Sequence, residues 1–420
     1  MLKALPPLPF HRLPVASSKR QHSLFLSNAK RIRCSRMSTN PAPICPKFIP
    51  AEGGGNINST SKFEGIRFSL VSYNILAQVY VRSALYPHSP SACLKWKNRS
   101  DAVLTVLKSF GADFLCLQVL FIHLYTVFWG GKKKGGGDNE DFYKGNMETE
   151  GYSSLYIQRS GQKRDGCGIF YKISCAELLV EDRIYYNELV NSIKDGSSCG
   201  DDQNNTLAGG NNDSDLKSSS WSKKDSRDHG DLNDPYVRLK RDCVGIMAAF
   251  RLKGPFDHVV IVATTHLYWD PELADVKLAQ AKYLSSRLAE FRTQVSDRYD
   301  CVPSVIVAGD FNSVPGDKVY QYLTLRCPKS ATLVECIEEY PIPLCSVHAS
   351  TRGEPRFTNC TPDFTDTLDY IFFSPSDRIK PVSILELPDA DSPSVVGCLP
   401  NYYHPSDHIP IGAEFEITKD

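Results

Sequence analysis

The stretch Pro303-Ser-Val-Ile-Val-Ala-Gly-Asp-Phe-Asn312 joins a strand-like run to two polar side chains. Its first six residues are apolar and rich in β-branched types, which is typical of a strand in a sheet covered on both faces. Asp310 and Asn312 follow, and alternation along an extended chain sends residues i and i+2 to the same side. Carboxylate and carbonyl oxygens are hard ligands that suit Mg²⁺ or Mn²⁺. The stretch therefore predicts a metal site at a strand end, with an ordinary Asp-Phe-Asn turn as the alternative.

Composition limits the possible protein classes but does not identify the binding partners. The chain has 420 residues, 41% of them hydrophobic, which suits one large α/β domain or two smaller ones. Lys+Arg and Asp+Glu number 48 each, so net charge neither indicates nor excludes nucleic acid, because a local basic groove suffices. The 14 cysteines include no Cys-x-x-Cys pair, and we interpret them as reduced thiols of an intracellular protein. No apolar run reaches the roughly 18 residues of a membrane span, so we expect no membrane association.

The amino-terminal segment differs in composition from everything that follows. Residues 1–51 contain no acidic residue, and their lysines and arginines are interleaved with serine and leucine. This pattern is typical of an organellar transit peptide, and it favours the mitochondrion or the chloroplast. The alternative is a disordered basic tail on a protein of the cytoplasm or nucleus. Residues 52–62 read as a linker, and residues 63–420 as the catalytic domain.

Strand-like and helix-like segments alternate through that domain, which predicts an α/β sandwich. The predicted helices are Ala92–Lys108 and Asp275–Phe291. Besides the strand before Asp310, strands are predicted at Arg67–Asn74, Gly111–Gln118, Val259–Thr264, 366–374 and 409–417. A turn into a strand is predicted at Gly161–Tyr171, and a return of ordered sequence at Leu239–Phe250.

Two stretches interrupt this alternation. Residues 191–235 are Ser, Asn, Asp, Gly and Lys with almost no aliphatic side chains, which predicts a disordered surface insertion. Val119–Trp129 is apolar without any period and runs directly into the Gly/Lys stretch 130–137. Its composition is typical neither of a surface loop nor of an amphipathic element. Ordinary globular sequence resumes near Phe142.

Polar clusters follow the predicted strands or lie within them. A buried carboxylate inside an apolar strand costs several kcal/mol unless it is paired or metal-bound, so Asp369 should have a partner. Strand ends gather ligand sites in α/β sheets, so the joint occurrence of these clusters favours one active site. The clusters are Asn74, Arg164-Asp165, Thr265-His266, Asp310 with Asn312, Asp369, and Ser406-Asp407-His408.

These motifs, taken in order, resemble the exonuclease–endonuclease–phosphatase superfamily. Thr265-His-Leu-Tyr-Trp-Asp-Pro271 and Phe357-Thr-Asn359 resemble, within it, the carbon-catabolite-repressor-4 type deadenylases and nocturnin, and the plant members above all. The resemblance spans Arg67 to Ile417. It implies a four-layer α/β sandwich, in which two mixed β-sheets pack face to face with helices outside. It also implies Mg²⁺-dependent cleavage of phosphodiesters, with Mn²⁺ as a substitute.

The resemblance also implies roles for individual residues. Asn74, Asp310 and Asn312 would hold the metal and the scissile phosphate, with Asp407 on the metal side. His408 would act as general base or phosphate clamp. These roles suit phosphoryl transfer, which chiefly needs an aligned water and cations at the developing charge.

The remaining implied residues orient the catalytic group or contact substrate. Asp369 would fix the tautomer of the catalytic histidine, and His266 would stabilise charge on the phosphate. Pro271 and Phe364 match positions that sandwich an adenine. Asn359, Arg164 and Asp165 complete the predicted substrate contacts.

One position departs from the family pattern. The family carries a glutamate, its principal Mg²⁺ ligand, directly after Cys-Leu-Gln118, and this chain has Val119 there. Valine cannot ligate a metal, so we predict that the chain is nearly inactive. We interpret residues 119–137 as the product of a mis-predicted or alternatively spliced transcript. Two alternatives stay open: Asp138 or Glu140 supplies the missing oxygen, or the chain is an inactive relative that binds poly(A).

The predicted function is a monomeric 3′-to-5′ exoribonuclease that acts on poly(A) tails and grips single-stranded RNA by base stacking. One alternative is a phosphatase of NADP-like adenine dinucleotides. Another, of a different class, is a non-catalytic RNA-binding protein.

Overall fold

The structure is a computed structural model that describes residues 40–51, 65–121, 142–191, 230–324, 341–376 and 378–419. The predictions for the basic leader, the linker, most of the apolar and Gly/Lys stretch, and most of the Ser/Asn insertion lie outside these residues. From Pro41 onward the chain belongs to one compact unit.

The strands of this unit form two large sheets, both mixed. In the first, β2 and β3 are parallel and the other neighbours are antiparallel. Its seven described strands lie in the order β1 (Phe48–Pro50), β14 (Ile379–Leu385), β15 (Ile411–Ile417), β2 (Ile66–Asn74), β3 (Phe114–Phe121), β5 (Asp165–Lys172) and β4 (Tyr152–Gln158).

The second large sheet is built in the same way around the parallel pair β8 and β9. A two-stranded hairpin, β11 (Asn359–Thr361) with β12 (Phe364–Asp366), stands apart from both sheets. The six described strands of the second sheet lie in the order β10 (Cys345–Ser346), β13 (Asp369–Phe373), β9 (Ser304–Asp310), β8 (His258–His266), β7 (Val244–Leu252) and β6 (Ala176–Tyr185).

Helices cover the outer faces of the sheets. In α1 the buried residues Val103, Val106, Leu107 and Phe110 recur at helical spacing, and the helix ends at Gly111, whose φ of +56° suits a left-handed cap. The described helices are α1 (Trp96–Phe110), α2 (Phe142–Glu148), α3 (Pro235–Leu239), α4 (Ala274–Tyr299), α5 (Lys318–Thr324) and α6 (Val347–Ser350).

Alternating side chains divide the core into layers. Phe68 and Leu70 of β2 pack with Ile246 and Phe250 of β7 in a core that lies between the two sheets. The opposite face of the first sheet packs on α1, and the opposite face of the second packs on α4. The resulting helix–sheet–sheet–helix order confirms the predicted four-layer sandwich.

The predicted strands and helices are present, with shifted ends. Strands β8 and β9 each run two residues further than predicted, to His266 and Asp310, and α4 runs eight residues further, to Tyr299. The strand predicted at 366–374 is divided, because β12 ends at Asp366 and β13 begins at Asp369. Among the described helices, none is long and apolar enough to span a bilayer.

The described end of the basic amino-terminal segment is structured. Phe48–Pro50 forms the edge strand β1, which pairs antiparallel with β14 in the register Phe48 opposite Leu385. Ala51 extends the pairing by donating its N–H to the carbonyl of Val382 at 2.9 Å.

Candidate active site

The polar clusters meet where the parallel strands of the two sheets end. Asn74 is the last residue of β2, His266 the last of β8 and Asp310 the last of β9. Within the second sheet, Asp310 lies opposite His266 on one side and opposite Asp369 on the other. Sheet register alone therefore brings three predicted site residues together, as the strand-end argument predicts.

A histidine–aspartate pair forms one wall of this site. His408 Nδ1 lies 2.7 Å from Asp369 Oδ2, and both residues are buried. The hydroxyl of Thr358 donates to the same carboxylate oxygen at 2.7 Å and accepts the N–H of Asp369 at 3.0 Å. The carboxylate is held from two sides, so it fixes the orientation of the imidazole ring and turns Nε2 toward Asp310.

Asp310 lies at the centre of the cluster. Its Oδ2 accepts a hydrogen bond from Asn74 Nδ2 at 2.9 Å, and its Oδ1 accepts the backbone N–H of Asn312 at 3.0 Å. His266 Nε2 and His408 Nε2 lie 3.5 and 3.7 Å from Oδ2. These distances place two imidazoles, one amide and one carboxylate around a single point.

Burial and charge shift the titration of all three ionisable groups. Burial raises the pKa of Asp310, although His266 and His408 oppose that rise. Burial lowers the pKa of His266 despite the nearby Asp310 carboxylate. For His408 burial also acts to lower the pKa, but Asp369 and Asp310 outweigh it and raise the pKa to about 10. The Asp369 and Asp310 carboxylates therefore favour the protonated form of His408.

The cluster fits a divalent cation on its Asp310 side. Asp369 Oδ1 is buried and has no hydrogen-bond partner, which is costly for a carboxylate oxygen. Single ligand atoms of Asp310, Asp369 and His408 lie within 4.8 Å of one another. Asp310 offers a hard carboxylate ligand of the kind that Mg²⁺ prefers, and the Asn74 side chain that contacts it carries an amide oxygen of the same kind. Asn74 Oδ1 instead accepts the N–H of Leu76 at 3.1 Å, so its amide would have to turn to bind a cation.

Val119 occupies a distorted position at the end of β3. The pairing of β3 with β5 shifts register between Leu117 and Leu120, which marks a β-bulge. Val119 has a φ of +54°, a left-handed conformation that is a genuine outlier for a β-branched residue. The residue before it, Gln118, lies opposite Asn74 in β2. The residue that follows Gln118 is therefore a buried valine, whose side chain has no atom that can ligate a metal.

Two further predicted carboxylates are held by tyrosines from the loop between β2 and α1. Tyr86 donates its hydroxyl to Asp407 Oδ2 at 2.9 Å, and Tyr80 donates to Asp165 Oδ1 at 2.6 Å. Asp165 is fully buried and its other oxygen lies 3.6 Å from Arg159 Nη1. Both carboxylates are therefore oriented by protein donors.

The remaining predicted residues lie at varied depths. Asn312 donates its side-chain N–H to the carbonyl of Leu267 at 2.9 Å. Asn359 is buried and forms a bridge with His408, which links the β11–β12 hairpin to the cluster. Exposure is high for the others: Pro271 begins a 3₁₀ turn, Phe364 is 42% exposed on β12, and Arg164 lies in the turn before β5.

Sequence reasoning missed the residues that hold these side chains in place. Arg99 of α1 is almost completely buried, and its Nη1 donates to the carbonyls of Ile75 at 2.9 Å and Pro405 at 3.4 Å. It thereby connects the loop after Asn74 to the loop before Asp407. Nothing in the sequence around Arg99 distinguishes it from a surface residue of an amphipathic helix.

The family comparison agrees with this geometry. The chain matches the model of the Endonuclease/Exonuclease/phosphatase family over residues 71–408, and it belongs to that family. Over 368 residues it is 61% identical to "Carbon catabolite repressor protein 4 homolog 4" of Arabidopsis thaliana, a match that covers 87% of this chain and 81% of the relative.

More distant relatives are longer than this chain. It is 27% identical over 400 residues to "CCR4-Not complex 3'-5'-exoribonuclease subunit Ccr4" of Candida albicans, and 26% identical over 414 residues to the subunit of the same name from Schizosaccharomyces pombe. These matches cover 90% and 89% of this chain but only 45% and 52% of the relatives, so the chain spans about half of their length.

Solved structures show the same fold. The crystal structure of "ANGEL2, a 2',3'-cyclic phosphatase" matches with a TM-score of 0.59 at 24% identity, covering 85% of this chain and 97% of that one. The human nocturnin catalytic domain matches with a TM-score of 0.51 at 18% identity, covering 88% and 97%. At these identities the likeness supports the predicted fold and no particular substrate.

Proposed function

We propose that this chain derives from a Mg²⁺-dependent 3′-to-5′ exoribonuclease that removes poly(A) tails, and that Val119 impairs it. The observation that carries the proposal is the buried cluster of Asp310, Asp369 and His408, with Asn74 donating into it. The more distant relatives named "CCR4-Not complex 3'-5'-exoribonuclease subunit Ccr4" support the reaction class.

The protein residues would divide the chemistry among themselves. His408, oriented by Asp369, would hold a phosphate oxygen through its protonated Nε2, which its raised pKa favours. It would accept the proton of the attacking water only with positive charge bound at Asp310, which would offset the carboxylate charge that raises this pKa. Asn74 and His266 would donate hydrogen bonds to the phosphate, on which charge develops in the transition state. A cation bound at Asp310 would neutralise that charge and polarise the phosphate. The exposed Pro271 and Phe364 would pack against the terminal adenine.

The backbone at Val119 supports the proposal that this chain is impaired. A left-handed conformation costs a non-glycine residue about 1–3 kcal/mol, and side-chain branching at Cβ makes it worse. Such strain indicates that valine is poorly suited to this bulge. Losing an outer partner of a metal ligand already costs about 10–100-fold in affinity or activity, so losing a ligand should cost at least as much.

Substrate class is tested with a restored chain, in which residues 119–137 are replaced by a short acidic loop that begins with glutamate. Labelled oligo(A), labelled oligo(U) and NADP are offered with Mg²⁺, and products are separated by gel and chromatography. We expect stepwise 3′ trimming with a preference for oligo(A). Release of phosphate from NADP without trimming would instead support the dinucleotide phosphatase, and oligo(A) binding without any cleavage would support a non-catalytic RNA-binding protein.

A further inference from the structure

Trp269 is an exposed indole beside the candidate active site. It is 63% exposed, more than Phe364 at 42% or Trp96 at 41%. It lies three residues after His266 and two before Pro271. Three residues span at most about 11 Å, so the backbone of Trp269 lies within that distance of His266. An aromatic ring left largely in water contributes little to the core, so packing does not explain this residue.

The backbone on both sides of Trp269 is held in place. Tyr268 donates its N–H to Oε1 of Gln280, a fully buried residue of α4, at 2.9 Å. Asp270 caps the following 3₁₀ turn by accepting the N–H of Glu272 at 3.0 Å, and its carbonyl accepts the N–H of Leu273 at 3.2 Å. The indole is therefore presented from a fixed position, which lowers the entropy cost of using it as a contact.

The Tyr268 ring lies next to the Trp269 indole, and the Arg241 guanidinium lies next to the Tyr268 ring. The rings of Trp269 and Tyr268 have centroids 6.1 Å apart at an interplanar angle of 48°. The Arg241 guanidinium lies 5.3 Å from the Tyr268 ring centroid. The acidic group of this segment, Asp270, is engaged in capping its own turn.

We propose that Trp269 is a stacking platform for a second nucleobase of single-stranded RNA, next to the nucleotide held at Pro271 and Phe364. The inference rests on the proposed function and deepens it by locating a second subsite. An aromatic face accepts any base, and stacking of successive bases on exposed aromatic side chains is typical of single-strand binding surfaces. The platform makes affinity depend on RNA length, because a mononucleotide occupies only the first subsite.

The test measures the affinity of fluorescein-labelled hexaadenylate by anisotropy, using the full chain in Mg²⁺ buffer, with gels to confirm that the RNA stays intact. Adenosine monophosphate is measured as a competitor. Trp269→Leu removes the platform, Trp269→Phe keeps an aromatic face, and Trp96→Leu is the matched control on another surface. We expect Trp269→Leu to weaken hexaadenylate binding by about tenfold, and Trp269→Phe to recover most of that loss. Trp96→Leu and all adenosine monophosphate affinities should change by less than about twofold.

Two results would overturn the inference in distinguishable ways. If hexaadenylate binds the parent chain and Trp269→Leu equally well, or if the variant loses mononucleotide affinity to the same extent, the second subsite is wrong while the proposed function stands. If the parent chain binds no hexaadenylate although thermal melts show that it is folded, the proposed RNA substrate fails and the subsite fails with it.

Discussion

His408 of the candidate active site is oriented by the Asp369 carboxylate, which is itself held from two sides. Asp369 Oδ2 accepts from His408 and from the hydroxyl of Thr358, both at 2.7 Å. The carboxylate faces Nδ1 of the ring, whether the ring is neutral or protonated, and leaves Nε2 toward Asp310. Replacing Asp369 by a neutral residue of the same shape should therefore alter the protonation of the His408 ring more than it alters the position of that ring.

Asp369→Asn in the restored chain is expected to lower the rate of oligo(A) trimming by about 10²–10⁴-fold, because the amide selects the wrong tautomer. Thr358→Val, which removes only the second donor, should cost much less. Single-turnover trimming rates at saturating enzyme measure both. Equal losses for the two variants would contradict the assignment, since they would indicate a general disturbance of β13.

Two histidines away from the active site should make stability depend on pH. Burial lowers the pKa of His348 to about 4 and that of His404 to about 4, from an ordinary value near 6.5. The folded protein holds both rings neutral, whereas the unfolded chain binds protons below pH 6.5. The contribution of the two histidines to the free energy of unfolding is therefore complete above that pH and is lost as the pH falls from about 6.5 to about 4.

In His348→Leu, the loss of unfolding free energy between about pH 6.5 and pH 4 should be smaller by about 3 kcal/mol, because each unit of pKa shift corresponds to about 1.4 kcal/mol. Leucine is tolerable there because His348 Nε2 is buried without a hydrogen-bond partner. Urea unfolding at pH 7, 6, 5 and 4.5 measures the effect. An unchanged slope between pH 6.5 and 4.5 would show that His348 is not held neutral by the fold.

At the scale of secondary structure, α1 has a second task besides covering the first sheet. Its Arg99 reaches through the layer to Ile75 and Pro405, and so connects the two loops that carry Asn74 and His408. Its Nε also donates to Gln78 Oε1 at 3.1 Å. A buried guanidinium that satisfies three acceptors cannot be removed without leaving those acceptors unpaired.

Arg99→Leu is expected to lower the free energy of unfolding by about 2–4 kcal/mol, since charged hydrogen bonds are lost and buried carbonyls stay unsatisfied. The matched control is Arg183→Leu on β6, where the exposed pair with Glu181 should contribute less than about 1 kcal/mol. Urea denaturation of both variants measures the difference. Similar losses for the two variants would contradict the role assigned to Arg99.

Because β1 pairs with β14 in the first sheet, removing the whole basic segment should lower the free energy of unfolding. A chain that begins at residue 52 lacks Phe48–Pro50 and the bond from Ala51 to Val382, whereas a chain that begins at residue 40 keeps them. We expect the shorter chain to be less stable by about 1–3 kcal/mol, from lost backbone hydrogen bonds and apolar contact. Thermal and urea melts of the two chains decide, and equal stability would show that β1 is dispensable.

The elements were predictable because their signals are local. β-branched runs indicated β8 and β9, and helical spacing indicated α1 and α4. Tertiary contacts set their ends: β8 extends to His266 because it pairs with β9 up to Asp310. The pairing of β1 with β14 joins segments more than 300 residues apart in sequence, and no local sequence pattern predicts it.

At the scale of the whole molecule, the site forms because two sheets place the ends of their parallel strands together. The resemblance predicted which residues would meet, and register explains how Asp310 comes to lie between His266 and Asp369. The tyrosines that hold Asp165 and Asp407 could not be predicted, because their loop has no period and both of these hydrogen bonds are long-range. The assignment of Val119 as a missing ligand stays a prediction until activity is measured.

The measurement that tests the central claim most directly compares two full-length proteins, the chain as given and the restored chain defined above. Both receive 5′-labelled oligo(A) with Mg²⁺, and trimming is followed on sequencing gels, with circular dichroism melts to show that both are folded. We expect the restored chain to trim and the given chain to be slower by at least about 10–100-fold. Equal trimming by the two proteins would contradict the account, because the missing carboxylate at residue 119 would then be dispensable for catalysis.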